Sequence, residues 1–487
     1  MPSRTHDPLA SSGGALTASF IDGEFVESAS TYENISPSTG EVIGLVSRGG
    51  ATEVDAAVCA ARQANRTWRT TAPEERARLL DRLADLIEAS TETLARVESE
   101  DTGKPLTQAR TDAQVCARYF RFYAHAIDSY YGLSIPLRPD LHVYTRREPL
   151  GVTGHIVAWN YPMQIMARGV APALATGNCA VLKPADETPR TAVMIAELAT
   201  RAGVPPGVFN VVTGIGDVAG AALSAHPGVS HLGFVGSVRV GSLIAHAAAQ
   251  RVVPVVLELG GKSAHVVFAD ADVGVAARVA AKAILQNAGQ TCSAGSRLIV
   301  HEGVHDELVS RVAELFGQVT IGPGIDDPDL GPLVSLKQQA RVRGYVESIT
   351  SGEIVAGGTI AEPHGITGGA YFTPTLIDGV DPLSAIAQEE VFGPVLTATT
   401  FASEEEAIAL ANGTDYALMG AIWTKDLSRA HRVAAEIEAG QVYVNTYGAG
   451  GGVELPFGGF RKSGYGREKG REALDSCTAT KTIVVQL

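Results

Sequence analysis

A chain of 487 residues, at about 150 per domain, is too long for one ordinary core and predicts two or three. Hydrophobic residues at 45% and charged residues at 19% exclude a disordered chain. A formal net charge of −14 argues against nucleic-acid and anionic-membrane partners, which it would repel overall, yet leaves room for a local basic dinucleotide site.

Residues 1–19 are polar, with no apolar core of the kind a signal peptide needs, and read as a flexible leader. No run of about 18 apolar residues predicts a membrane span. Thr71, Pro73 and Glu74 have the spacing of a helix start with a capping box, and Leu79, Leu80, Leu83, Leu86 and Ile87 then share one face of a packing helix.

From 151 to 259 short β-branched runs alternate with helical patterns. Strands are predicted at 152–158, 179–183, 208–213, 231–235 and 252–257, and helices at 163–175, 188–202, 218–225 and 238–249. That alternation predicts a parallel, doubly wound sheet whose ligands sit beyond the carboxyl ends of its strands. The glycines around 212–216 and 233–237 fall at such ends, although they lack GxGxxG spacing. A second α/β region follows, with apolar runs at 264–268, 297–300, 395–401, 421–424 and 441–445. Residues 130–148 and 478–487 alternate outside both sheets as extended arms that need a partner, either each other or another subunit.

Cys59, Cys116, Cys179, Cys292 and Cys477 are widely spaced, with no CxxC pair, which argues against a disulfide framework or zinc ribbon and suits a reducing cytoplasm. No metal ligands are predicted. Cys59, Cys116 and Cys179 read as buried structural cysteines. Cys292 stands apart in Gly289-Gln290-Thr291-Cys292. With Ala158-Trp159-Asn160-Tyr161-Pro162 and Leu257-Glu258-Leu259-Gly260-Gly261-Lys262, that segment offers a thiol, an amide and a carboxylate. These are the parts of covalent catalysis on a carbonyl: a nucleophile, an oxyanion donor and a base that activates water. Asn160 could instead cap the helix that follows it, and Glu258 could be a solvated strand end.

These segments, together with Gln388-Glu389-Glu390-Val391-Phe392-Gly393-Pro394 and Pro456-Phe457-Gly458-Gly459-Phe460, resemble the aldehyde dehydrogenase superfamily from about residue 20 to the C-terminus. The resemblance implies an α/β fold with a Rossmann-like NAD(P)-binding domain (20–129 and 149–259), an α/β catalytic domain (260–460) and a small β oligomerisation arm (130–148 and 470–487). It implies a homodimer or homotetramer acting on a small-molecule aldehyde. By residue, it implies Cys292 as nucleophile, Asn160 with the Cys292 backbone N–H as oxyanion donors, and Glu258 as base. Toward the cofactor it implies Trp159, Lys183, Asp186, Gly216, Gly236, Ser237, Glu390 and Phe392. Asp186 stands where NAD-preferring members commonly carry Glu, so NAD is expected and NADP is not excluded. The tunnel should present Tyr161, Gln164, Ile165 and Arg168, with Tyr119, Phe122 and Tyr123 as an apolar wall and glycines at 448–452 leaving a roomy entrance. Arg168 either grips a substrate carboxylate, as in semialdehyde oxidation, or pairs with a protein carboxylate; aromatic and aliphatic aldehydes stay open. Glu454 is a second carboxylate near the mouth. The rivals within enzymes are CoA-acylating aldehyde oxidation, which needs no base at Glu258, and a thiol esterase without a redox step, which needs no nicotinamide.

Overall fold

Five of the short apolar runs pair in parallel to form the centre of an eight-stranded sheet. Its order is Gly464–Tyr465, Val255–Glu258, His231–Val235, Val152–Ile156, Cys179–Lys183, Phe209–Val211, Ser19–Ile21 and Glu24–Val26, and only the strands beyond the central five pair antiparallel. Strands buried on both faces read as continuous hydrophobic runs, as these do. The register is nearly level: Phe234 lies opposite both Leu257 and Ile156, and Ile156 lies opposite Lys183. The loops that begin at residues 157, 184, 212, 236 and 259 therefore leave from one edge, which is where the glycines cluster.

This computed structural model describes residues 16–448 and 452–487. Within them the expected leader is shorter than 1–19. Leu16–Thr17 pairs with the strand Val42–Ser47, and Ser19 is fully buried with its hydroxyl 3.1 Å from that of Thr213. Residues 1–15 lie outside the described residues.

The helix Pro162–Ala175 threads between this sheet and the long helices Pro73–Ala89 and Leu106–Ala126, and almost every residue of it is buried. Pro73 opens its helix as expected, but the capping box is not formed. Ala72 is the N-cap, and the Thr71 hydroxyl donates instead to the Thr67 carbonyl at 3.2 Å. The preceding helix ends so close by that Thr71 bonds backward rather than forward.

A second sheet of seven strands runs in the order Glu353–Ala356, Thr375–Asp378, Val395–Phe401, Arg297–His301, Ala264–Val267, Met419–Trp423 and Gln441–Val444, parallel except at its first edge. The two arms find each other. Thr478–Gln486 pairs antiparallel with Leu141–Pro149 along its whole length, and Ser134–Ile135 extends this third sheet. No helix of the described residues is long and apolar enough to cross a membrane.

Candidate active site

The loop that carries Cys292 is built on costly backbone. After the helix Val273–Leu285 the chain passes through Asn287 (φ 50°, ψ 37°) and Ala288 (φ 53°, ψ 38°), two consecutive left-handed residues with side chains. Each costs roughly 1–2 kcal/mol. Side-chain hydrogen bonds hold the turn: Asn287 Nδ2 donates to the Asn160 carbonyl at 2.8 Å, Gln290 Nε2 to the Asn287 carbonyl at 3.0 Å, and the Val334 N–H to Gln290 Oε1 at 2.8 Å. The result is a half-buried thiol at the wall of a cavity of about 780 Å³. Burial pushes the Cys292 thiol up to about 12, against the pull of Arg168.

Asn160 lines the same cavity, 3% exposed. It does not cap the helix that follows, whose N-cap is Tyr161. One amide hydrogen goes to the Gln290 carbonyl at 2.9 Å, which ties Asn160 to the cysteine loop and leaves the second for another acceptor. Glu258 ends its strand as expected but is not solvated: it is 1% exposed, and neither carboxylate oxygen has a hydrogen-bond partner among the described residues. Burial, then the neighbouring Glu468, raises its pKa well above the ordinary value. Gly458 gives it room, since a Cβ there would lie 2.7 Å from Glu258 Oε1.

A second group of residues gathers at the carboxyl ends of the parallel strands. Lys183 is paired with Asp186, and the Gly216 N–H donates to Asp186 Oδ1 at 3.1 Å, so these three residues come together. Ser237 caps the helix Val238–Arg251 and is exposed, with Gly236 directly before it. Gly236 is pinned by its N–H to the Glu258 carbonyl at 3.0 Å. Glu390 reaches across from the second sheet and accepts from the Gly261 N–H at 3.0 Å. Burial raises its carboxyl to about 7, against that hydrogen bond. Phe392, at φ 60°, meets Trp159 edge-on at 5.2 Å. Contact between this group and the cysteine loop is tight: a Cβ on Gly261 would lie 2.2 Å from the Cys292 carbonyl oxygen.

Tyr161, Gln164, Ile165 and Arg168 all line the cavity. The Tyr161 hydroxyl lies 2.9 Å from that of Thr291, and Gln164 donates to Asp112 at 2.6 Å. Arg168 is engaged by protein: its Nε donates to Glu468 Oε2 at 2.7 Å, and Nη2 bonds the same oxygen. Of the expected aromatic wall, Tyr119 lines the cavity. Tyr123 instead turns its hydroxyl to the Gly470 carbonyl at 3.1 Å, and Phe122 packs edge-on against Tyr123, so neither lines the cavity. Glu454 is exposed and paired with Arg118. Residues 449–451 of the glycine loop lie outside the described residues. Cys116 and Cys179 are buried as expected, whereas Cys59 is exposed on the outer face of its helix.

Sequence reasoning missed the residues that hold these groups. Glu468 and Lys469 lie in Gly466-Arg467-Glu468-Lys469-Gly470, where charges bracketed by glycines were the only signal. Gln338 donates to the Phe392 carbonyl at 2.7 Å and Arg341 to the Glu390 carbonyl at 2.8 Å, fixing that loop. The buried triad Lys104, Glu98 and Asp112 backs Gln164 and Tyr161, with the ammonium 3.0 Å from Glu98 and 4.3 Å from the Tyr161 ring centre. No group of three or more His, Cys, Asp or Glu among the described residues is placed to hold a metal.

Residues 25–483 match the model described as the aldehyde dehydrogenase family. A provisionally assigned aldehyde dehydrogenase from Burkholderia cenocepacia superposes with a TM-score of 0.95 at 49% identity, over 96% of this chain and all (100%) of that one. An indole-3-acetaldehyde dehydrogenase complexed with NAD+ gives 0.94 at 40% identity, over 97% of each chain. An NAD+ complex of an aldehyde dehydrogenase from Bacillus cereus gives 0.94 at 39% identity, over 97% of this chain and 96% of that one.

Proposed function

Because this chain belongs to the aldehyde dehydrogenase family, we propose that it oxidises a small aldehyde to the carboxylic acid with NAD+, by way of a thiohemiacetal and a thioester on Cys292. The observation that carries this reading is Gly261, whose N–H donates to Glu390 and whose Cα packs against the Cys292 carbonyl, so that the thiol loop touches the group gathered at the strand ends. A thiol alone would support an esterase; a thiol in contact with the carboxyl ends of a doubly wound parallel sheet, where dinucleotides bind, supports a redox step.

In this mechanism the Cys292 thiol gives up its proton to water in the cavity, and its sulfur adds to the aldehyde carbon. The free amide hydrogen of Asn160 and the backbone N–H of Cys292 hold the developing oxyanion, a donor of the kind worth about 3 kcal/mol of barrier. Glu258, held without partners, takes the proton of the water that attacks the thioester. The cofactor, when bound, supplies the two-electron oxidant. Around it, Lys183 and the helix start at Ser237 offer positive character to ribose hydroxyls and the pyrophosphate, Glu390 accepts from the nicotinamide ribose, and Trp159 and Phe392 present ring edges. Gly216 and Gly236 let the backbone approach. The Asp186 carboxylate disfavours a 2′-phosphate, which supports NAD over NADP.

A reducing cytoplasm suits a chemistry in which Cys292 must remain a thiol. The arms support assembly into a homodimer or homotetramer, since Val484 on that small sheet and Tyr131, Leu133 and Leu137 in the segments beside it keep 58–72% of their surface exposed. Activity is tested by formation of reduced nicotinamide with a panel of aldehydes. Cys292→Ala should abolish it while leaving the thermal transition and NAD+ binding unchanged. Turnover retained in that variant would remove Cys292 from the mechanism.

A further inference from the structure

Six charged side chains line the cavity in front of Cys292: Asp112, Arg168, Arg278, Lys282, Asp329 and Lys469. Three are already matched. Asp112 is bonded by Lys104 and Gln164, Arg168 by Glu468, and Asp329 by the Thr320 N–H at 2.9 Å and hydroxyl at 2.6 Å. The other three are cations, and none has a carboxylate partner among the described residues. Arg278 and Lys282 are exposed one turn apart on the helix Val273–Leu285, at the rim. Lys469 is deep, only 8% exposed.

Lys469 is held in place. It takes a left-handed backbone (φ 61°) fixed on both sides: the Glu468 N–H donates to the Phe457 carbonyl at 2.8 Å, and the Gly470 N–H to the Val453 carbonyl at 2.8 Å. Its ammonium lies 5.4 Å from the Phe457 ring centre, and the same ring carries the Arg168 guanidinium at 4.8 Å. Burial, with Arg168 close by, lowers the ammonium to about 8, so it stays mostly charged at neutral pH. A cation this buried normally has an anion beside it. Here Glu468 and Glu258 lie near enough to pull on the ammonium, but neither forms an ion pair with it, and Lys469 lines the cavity.

We propose that this cavity selects anionic aldehydes, ω-oxo carboxylates, with Lys469 holding the distal carboxylate and Arg278 and Lys282 drawing it in at the rim. The proposal rests on the reading of Cys292 as the nucleophile of an aldehyde oxidation. In a chain of net charge −14, a local cationic cavity mouth raises the encounter rate of anions and spares neutral aldehydes that advantage. Arg168, the cation that the sequence singles out, is spent on Glu468; Lys469 is the cation left for substrate.

The test compares ω-oxo carboxylates of four to six carbons with the neutral aldehydes of the same chain length, reading the ratio of kcat/KM in each pair. Wild type should favour the anionic member by roughly tenfold or more, the range of a hydrogen bond to a charged group. Lys469→Met should bring the ratio close to one, Lys469→Arg should retain a preference, and Arg278→Ser with Lys282→Ser should reduce the ratio chiefly at low salt. As a measurement that needs no variant, a dicarboxylate product should inhibit wild type more strongly than the monocarboxylate of equal length. A wild-type ratio near one overturns the proposal and leaves the oxidation intact. So does an equal loss on both aldehydes in Lys469→Met, which would make Lys469 a support of the cavity. Absence of nicotinamide reduction with every aldehyde would instead overturn the oxidation itself.

Discussion

At the scale of single residues, Glu258 concentrates the argument. A carboxylate with no hydrogen-bond partner among the described residues, almost wholly buried, is expensive to ionise, and burial raises its pKa. A base works only when deprotonated, so its active fraction grows as pH rises toward that raised pKa. The thiol, at about 12, pulls the same way. Turnover limited by thioester hydrolysis should therefore increase from neutral to alkaline pH. Glu258→Gln should lower the steady-state rate by about 10²-fold or more, retain a first burst of reduced nicotinamide, and flatten this rise. An unchanged steady-state rate would exclude Glu258 as the base. The sequence offers Cys292, Asn160 and Glu258 as thiol, amide and carboxylate through their segments. Their partners were not legible there: Gln290 is 130 residues from Asn160 and Glu468 is 300 from Arg168, and nothing local in a sequence reports such a pairing.

At the scale of elements, the site depends on loops leaving neighbouring strands at the same level. The strand pattern was readable because β-branched runs buried on both faces leave a plain signal. The cysteine loop was less so: left-handed backbone is expected at glycine, and Asn287 and Ala288 adopt it only because Asn160, Gln290 and Val334 hold them there. The same closeness makes Gly261 a spacer between two elements. Gly261→Ala would place a methyl 2.2 Å from the Cys292 carbonyl and push the nucleophile off its position. It should cost about 10²-fold in kcat/KM, the scale of an ångström-sized misplacement, with the circular dichroism spectrum retained. Wild-type activity in that variant would show that the loop yields freely.

At the scale of the whole molecule, the arms form one small sheet whose outer apolar side chains stay exposed in the single chain. An antiparallel sheet of two nine-residue strands and a two-residue third is little more than a two-stranded ribbon, gains little stability alone and profits from a second copy. The mass in solution by analytical ultracentrifugation should be two or four times 50.7 kDa. Leu133→Asp with Val484→Asp should shift it toward one chain without unfolding, since both side chains are exposed. A wild-type monomer would refute assembly through the arms. The sequence by itself determined the α/β alternation, the strand that ends on Glu258, and the segments that carry thiol, amide and carboxylate. Those features are local: side-chain branching, period and short motifs. Tertiary structure alone decided that Arg168 is neutralised by Glu468, that Lys469 lines the cavity without an ion pair among the described residues, and that the two arms pair with each other. Which charges meet depends on how distant elements pack, and electrostatic partners separated by hundreds of residues leave no period or motif in the chain.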